Sequence, residues 1–299
     1  MIPSKLTRLL LAALLMMATS IMAHAQDRPR IVAVNYPLKY FAERLAGDSA
    51  DVIFPVPEGV DPSFWRPSIS DVSMIQSADL VLLNGAGFAA WIDRVSLPRS
   101  RLVNTTARLE DLFIVTESIT HSHGDGGEHS HEGLASYTWL DPTIAAQQAE
   151  AIANALVQRG LVTREAIEPR LASLQTELVA LDDGLKAALE SVRDVPFIAT
   201  HPRYHYFARR YGLSISYLDW EAGAMPTQEQ LATLSAMSEK TGARGLIWEA
   251  QPPQSAVEAV AELGFTSAVL PPYATVPASA EDLLDALEEA AKTLALAAQ

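Results

Sequence analysis

Leu171, Leu174, Leu178, Leu181, Leu185, Leu189 and Val192 recur at spacings of three and four residues. Side chains spaced in this way share one face of an α-helix, so residues 165–193 are predicted to form one unbroken helix with a single apolar stripe. At 1.5 Å per residue it would be roughly 40 Å long. A coiled coil is the competing assignment, but no second heptad tract exists to pair with it. The stripe therefore predicts a rigid strut between two lobes. Gly184 is its weakest position, since glycine costs about 1 kcal/mol against alanine in a helix interior.

On both sides of the strut, short apolar runs alternate with amphipathic segments. Before it, strands are predicted at 31–35, 52–56, 80–83 and 102–104, with helices at 36–46, 68–77 and 144–159. After it, strands are predicted at 197–200, 214–218, 245–249 and 268–270, with helices at 202–211, 227–241, 255–263 and 280–297. Strands alternating with helices imply parallel sheets covered on both faces, hence an α/β fold. The chain has 299 residues, enough for two cores. The expected organisation is an N-terminal α/β lobe over 26–162, a linking helix over 163–194 and a C-terminal α/β lobe over 195–299.

Residues 1–25 read as a secretory signal peptide. Lys5 and Arg8 make a basic start, an apolar stretch follows from Leu9, and Ala23-His24-Ala25 is an A-x-A cleavage site. The apolar run is too short for a stable membrane span and runs straight into Gln26-Asp27-Arg28. Removing the segment takes away two basic residues and no acidic one, moving the formal charge from −14 to −16. That acidity argues against nucleic acid as a partner and suits a protein that meets cations. With no cysteine there is no disulfide framework, no thiolate metal site and no residue to carry a lipid at the cleavage site. The expected location is the periplasm, as a free protein and a monomer.

His121, His123, His129 and His131 lie within eleven residues, as two H-x-H pairs around a Gly/Asp/Glu spacer. Neutral imidazole is the commonest metal ligand, and paired imidazoles on a solvated loop over 121–133 can wrap a Zn²⁺ ion without a prebuilt pocket. In open parallel sheets, ligands bind beyond the carboxyl ends of the strands. The polar groups expected there are Asp61, Ser63, Tyr137, His201 and Glu249. His201 precedes a proline that would open a helix, so it is predicted as an N-cap, a position that helps keep the ring neutral and able to ligate. His205, four residues on, is a further candidate ligand. Glu249 at a buried strand end is costly unless paired. Asp141-Pro142 is predicted as a helix N-cap followed by a first-turn proline, a structural role.

These stretches resemble the metal-binding receptors of zinc and manganese ABC importers, the periplasmic solute-binding proteins of the zinc-uptake type. The resemblance rests on V-D-P-S-F-W-R-P-S-I-S-D (60–71), A-D-L-V-L-L-N-G-A-G-F (78–88) and the His-rich tract running into Y-T-W-L-D-P (137–142). It rests equally on T-H-P-R-Y-H-Y-F-A-R-R-Y-G-L (200–213) and L-I-W-E-A-Q-P (246–252). It implies two α/β lobes joined by one long helix, with the metal between them. It also implies delivery of the ion to the membrane permease of an ABC importer, and a periplasmic metallochaperone as a possible second partner. The departures are specific. Ser63 and Tyr137 stand where the family has its first two histidine ligands, and Leu270-Pro271-Pro272-Tyr273 lacks the family's late acidic ligand. His201 matches the third ligand, and Glu249 matches a glutamate that supports the cleft.

The expected metal set is therefore His201, Tyr137, Glu249 and His205 in the cleft, with His121, His123, His129 and His131 above it. Zn²⁺ is the expected ion. A phenolate is a hard oxygen donor that would suit Fe³⁺ better, and Mn²⁺ is the family's other cargo. Two rival functions are a metalloenzyme such as a hydrolase, and a receptor without the interlobe site. The first lacks H-E-x-x-H and G-x-S-x-G. The second would act as a metal buffer or chaperone, or bind a metal chelate against Trp65, Tyr137 and Tyr204. The His-rich tract is polar, Gly-rich and without periodicity, so it contributes little to a core. Deleting 121–131 is expected to leave the thermal unfolding transition in place and to lower the number of Zn²⁺ ions bound, counted by calorimetry.

Overall fold

A computed structural model describes residues 28–116, 133–277 and 282–297, and the backbone alone at 120–122 and 128–130. The expected signal peptide, His123 and His131 lie outside the described residues. No helix among those described is long and apolar enough to cross a membrane.

The first lobe is a four-stranded parallel sheet of β1 (Arg30–Ala33), β2 (Asp51–Ile53), β3 (Leu80–Leu83) and β4 (Leu102–Asn104), in the order β2-β1-β3-β4. The second repeats the arrangement with β7 (Pro196–Ala199), β8 (Ser214–Tyr217), β9 (Gly245–Trp248) and β10 (Thr266–Val269), in the order β10-β9-β7-β8. Central strands such as β9 are buried at every residue, as parallel strands covered on both faces must be. The α/β class and all eight strands follow the sequence pattern, with ends displaced by at most three residues.

Local chemistry sets the helix starts. Helix α1 (Tyr36–Ala46) opens beneath Asn35, whose side chain accepts from the Leu38 N–H at 3.0 Å. Helix α2 (Ile69–Ser77) begins with a reciprocal Ser68/Asp71 capping box. Helix α3 (Pro142–Gln158) has Asp141 as its N-cap, accepting from the Thr143 N–H at 3.0 Å, with Pro142 in the first turn as its sequence predicts.

The strut is α4 (Arg164–Leu189), which continues into a 3₁₀ turn over Glu190–Val192. Six of the seven stripe residues are buried and Leu171 is half-buried. Pro169 lies inside the helix, close enough to its start that only the bond to the Glu165 carbonyl is lost. No break occurs at Asp182-Asp183-Gly184. Asp182 is instead buried and receives Arg210 Nε at 2.8 Å, Lys186 Nζ at 2.6 Å and the Tyr211 hydroxyl at 3.3 Å. Burial alone would raise its pKa, but Arg210 and Lys186 outweigh it and hold the carboxyl below the usual range. Two of these partners belong to α5 (His205–Tyr211), so the strut grips the second lobe through a charge.

Helix α5 begins three residues later than expected. The residue before a proline is steered away from helical backbone, and the Arg203 N–H closes a tight turn on the His201 carbonyl at 2.9 Å. His201 is therefore not an N-cap; that position belongs to Tyr204, which offers no side-chain cap. Helices α6 (Gln228–Thr241) and α7 (Gln254–Glu262) follow the predicted pattern, and α8 (Leu283–Ala297) closes the described chain against the strut. The His-rich tract, expected as a loop, carries a short antiparallel pair, β5 (Thr120–Ser122) and β6 (Glu128–Ser130), whose register sets His121 opposite His129.

Two stability changes follow from the strut. A Cβ added at Gly184 would lie 3.4 Å from the carboxylate end of Glu288, ordinary contact with a movable group, and the backbone there is helical. Gly184→Ala is expected to stabilise by about 0.5–1 kcal/mol in urea unfolding. Asp182→Asn is expected to cost about 2 kcal/mol at pH 7, the scale of lost hydrogen bonds to a charge. Because the folded pKa of Asp182 is depressed, its contribution is present above the unfolded value near 4 and is lost as pH falls through the folded value. The difference between parent and variant should therefore close in acid.

Candidate functional site

The two sheets turn the carboxyl ends of their strands toward a common cleft. In each sheet the chain reverses direction of strand addition at its centre, between β1 and β3 and between β7 and β9. Such switch points leave a crevice at the strand ends. Asn35 and Asn84 stand at the first, with Asn35 Nδ2 donating to Asn84 Oδ1 at 3.3 Å. Thr200, His201 and Glu249 stand at the second, where the Glu249 N–H donates to Thr200 Oγ1 at 3.3 Å.

At the centre of the cleft lies Arg203, a residue that the sequence reading passed over. It is 7% exposed. Its Nη2 donates to Asp61 Oδ2 at 2.6 Å and its Nε to Glu249 Oε2 at 3.2 Å. The guanidinium carbon sits 4.7 Å from the centre of the Tyr137 ring and 5.7 Å from that of Phe64. Asp61 and Tyr137 come from the first lobe, and Arg203 and Glu249 from the second. One buried cation thus ties the lobes together. The signal available in the sequence was an arginine three residues beyond the expected strand end, in T-H-P-R-Y-H, where an unpaired charge would be costly.

Each partner is held in place. Ser63 is oriented toward Asp61, since its backbone N–H and its hydroxyl both donate to Asp61 Oδ1, at 2.8 and 2.5 Å. Tyr137 follows Ser136, whose carbonyl accepts from Asn84 Nδ2 at 2.9 Å. Thr138 Oγ1 lies 3.2 Å from Asn84 Oδ1, and Gln148 Nε2 bridges that oxygen and Thr105 Oγ1 at 3.1 and 2.9 Å. This buried amide network fixes the segment that carries the tyrosine. Gly85 permits it, because with φ at +77° a Cβ there would fall 2.0 Å from Thr106 Oγ1.

Charge follows geometry. Burial drives the Tyr137 phenol well above its ordinary value, and the Arg203 charge and a Ser63 hydrogen bond offset that only in part. Burial thus disfavours the phenolate form of Tyr137. Glu249 is also raised, first by burial and then by Asp61, with Arg203 opposing. Arg203 itself is held protonated: burial disfavours its charge, but Asp61 and Glu249 more than compensate.

The two cleft histidines differ. His201 is buried, with Nδ1 3.1 Å from the Trp220 carbonyl and 3.6 Å from Asp219 Oδ1. A carbonyl only accepts, so Nδ1 carries a proton. Metal-bound histidines are commonly oriented in this way. His205 opens α5, and its ring lies 4.3 Å from the Tyr217 ring, centre to centre. Burial lowers its pKa. Of the aromatics expected to line the cleft, only Tyr137 does. Trp65 packs edge-on against Trp91 at 5.2 Å, and the Tyr204 hydroxyl is spent on the Leu270 carbonyl at 2.7 Å. The Pro271-Pro272 segment, without the family's acidic ligand, accepts Trp139 Nε1 at 2.8 Å through the Pro272 carbonyl.

A bare divalent ion does not fit this arrangement. The described residues contain no group of three His, Asp or Glu side chains placed to hold a metal. Two unit charges 4 Å apart at an effective dielectric of 20 interact by about 4 kcal/mol, so a dication beside the guanidinium would be repelled by roughly twice that. The backbone register of the antiparallel pair sets His121 opposite His129.

Over residues 31–297 the sequence matches the family model for the zinc-uptake complex component A, periplasmic. The chain belongs to the ZnuA family. The ZnuA family supplies a solute-binding component of an uptake complex, which sets the hydrolase alternative aside. A curated relative, the zinc-binding lipoprotein AdcA of Streptococcus pneumoniae, is 27% identical over 270 residues, covering 88% of this chain and 53% of the relative. The chain thus spans about half the length of that relative. The Zn(II)-bound ZnuA-like domain of Streptococcus pneumoniae AdcA superposes with a TM-score of 0.75 at 21% identity, covering 91% of this chain and 99% of that domain. FpvC of Pseudomonas aeruginosa, solved in complex with Mn²⁺, superposes with a TM-score of 0.74 at 21% identity, covering 91% of this chain and 99% of FpvC. At these identities the superpositions speak for the two-lobed fold.

The raised pKa of Glu249 sets a sign. Its ionised form is disfavoured in the folded state, so stability should rise as pH falls from neutral through the folded pKa toward the unfolded value near 4.3. Glu249→Gln, which keeps an acceptor for Arg203, is expected to change stability by no more than about 1 kcal/mol and to flatten that rise. Urea melts at pH 7 and pH 5 check both.

Proposed function

We propose that this chain is the periplasmic receptor of a transition-metal importer of the ABC type, that its cargo is zinc, and that it delivers the ion to a membrane permease. The observation that carries the reading is the match to a zinc-uptake component along both lobes and the strut, over residues 31–297. Similar proteins bind zinc, and one structural neighbour was solved in complex with Mn²⁺. The His-rich tract supports zinc as the ion, because four imidazoles within eleven residues favour it over a hard cation. On this reading His121, His123, His129 and His131 hold zinc, and His201 keeps a ligand's orientation in a cleft that Arg203 occupies. Tyr137 and Glu249 serve Arg203. The 26–162 and 195–299 units act as the two lobes of the receptor, with 163–194 as the link.

A second reading draws on the cavities beside Arg203. One of about 400 Å³ is lined by residues including Phe64, Phe88, Tyr137 and His205, and another of about 380 Å³ by Phe64, Arg66, Trp220 and Glu221. Both fall in the size range of small-molecule sites. A metal carried as a small chelate would suit them better than a bare ion.

Metal-stripped protein titrated with Zn²⁺, Mn²⁺ and Fe³⁺ tests the receptor reading. Zinc is expected to bind most tightly. A ligand confined to the folded state stabilises it by about 2.7 kcal/mol at a hundred times its dissociation constant, whereas histidines in a polar tract bind in the unfolded chain as well. Zinc held on 121–131 should therefore register in calorimetry with little rise in melting temperature. A protein that takes up none of the three ions would defeat the reading.

A further inference from the structure

We infer that Arg203 is a tethered cation that takes the metal's place between the lobes and decides what the cleft admits. This rests on the reading that zinc is the cargo, and it concerns the same cleft. The two carboxylates that approach from opposite lobes, Asp61 and Glu249, both end on the guanidinium, at 2.6 and 3.2 Å. The aromatic face of Tyr137 covers it at 4.7 Å. Ser63 completes the arrangement by holding Asp61 in register for the arginine. The positions at which the resemblance expects the first two ligands, Ser63 and Tyr137, are thus both occupied by residues that contact Arg203 or its counter-ion.

The substitutions are mutually consistent. A histidine ligand at either position would lose its ion to the guanidinium's repulsion, whereas a serine hydroxyl and a phenol ring both suit an arginine neighbour. His201 keeps the orientation of a ligand, with its Nδ1 proton on the Trp220 carbonyl at 3.1 Å. Removing the charge of Arg203 would leave Asp61, Glu249 and His201 around a space bounded by both lobes.

The test isolates the cleft by deleting 121–131 and titrating with zinc chloride. The deletion protein should bind zinc in the cleft at least tenfold more weakly than the same protein carrying Arg203→Gln, which retains amide donors for both carboxylates but no charge. The gain in the variant should be lost again when His201→Ala is added, and Arg203→Lys, which keeps the charge, should show no gain. Equal zinc affinity with and without Arg203→Gln, in proteins that both melt cooperatively, would overturn the inference. A measurement on the full chain guards against misfolding of the variant. The Arg203 Nε–H, identified by its absence in Arg203→Lys, should remain slow to exchange and unshifted as zinc is added. Its disappearance with zinc would equally overturn the inference. Absence of zinc binding by the full chain, with the gain in the deletion protein carrying Arg203→Gln intact, would sink the receptor reading and leave the role of Arg203 standing.

Discussion

A guanidinium cut off from water must find compensating charge, and the cleft is built around that requirement. Arg203 is compensated from both lobes at once, by Asp61 and Glu249, and its flat face is covered by Tyr137. Every neighbouring choice follows from it. Ser63 aims Asp61, the Asn84 network seats the segment that carries Tyr137, and Thr200 receives the Glu249 N–H. Removing one partner of such a buried pair typically costs several kcal/mol, chiefly because it leaves the other charge uncompensated.

The lobes also meet through neutral contacts. The Trp139 indole donates to the Pro272 carbonyl at 2.8 Å, and the Tyr36 N–H to the Ala274 carbonyl at 2.9 Å. Behind them the strut buries its leucine stripe and holds α5 through Asp182. These contacts fix the approach of the two strand-end surfaces without reference to what lies between them. A family fold can therefore persist while the chemistry of its cleft changes, since fold depends on the packed faces and function on a few side chains at the crevice.

The His-rich tract and the cleft are coupled to folding in different ways. A polar tract of imidazoles needs little prior structure to meet an ion, while a site between lobes gains from, and contributes to, the closed arrangement. In this chain the closed arrangement is already supplied with a cation of its own. The contact between the lobes is thereby made without a metal bridging them.

The sequence by itself determined the architecture. Leu174, Leu178, Leu181, Leu185 and Leu189 specified the strut because a period near 3.6 has one physical solution, and the short apolar runs specified parallel strands because such strands are buried on both faces. Asp141-Pro142 declared its cap for the same local reason. What the cleft contains was decided only by the tertiary structure. Asp61, Tyr137, Arg203 and Glu249 are far apart in the chain, with Asp61 and Arg203 separated by 142 positions, and no local pattern records that they meet. The N-cap expected at His201 failed for a related reason: a tight turn closing on its carbonyl displaced the helix start to His205. Periodicity survives in a linear sequence because it is a property of neighbours, whereas the pairing of a buried charge depends on which strand ends the fold brings face to face.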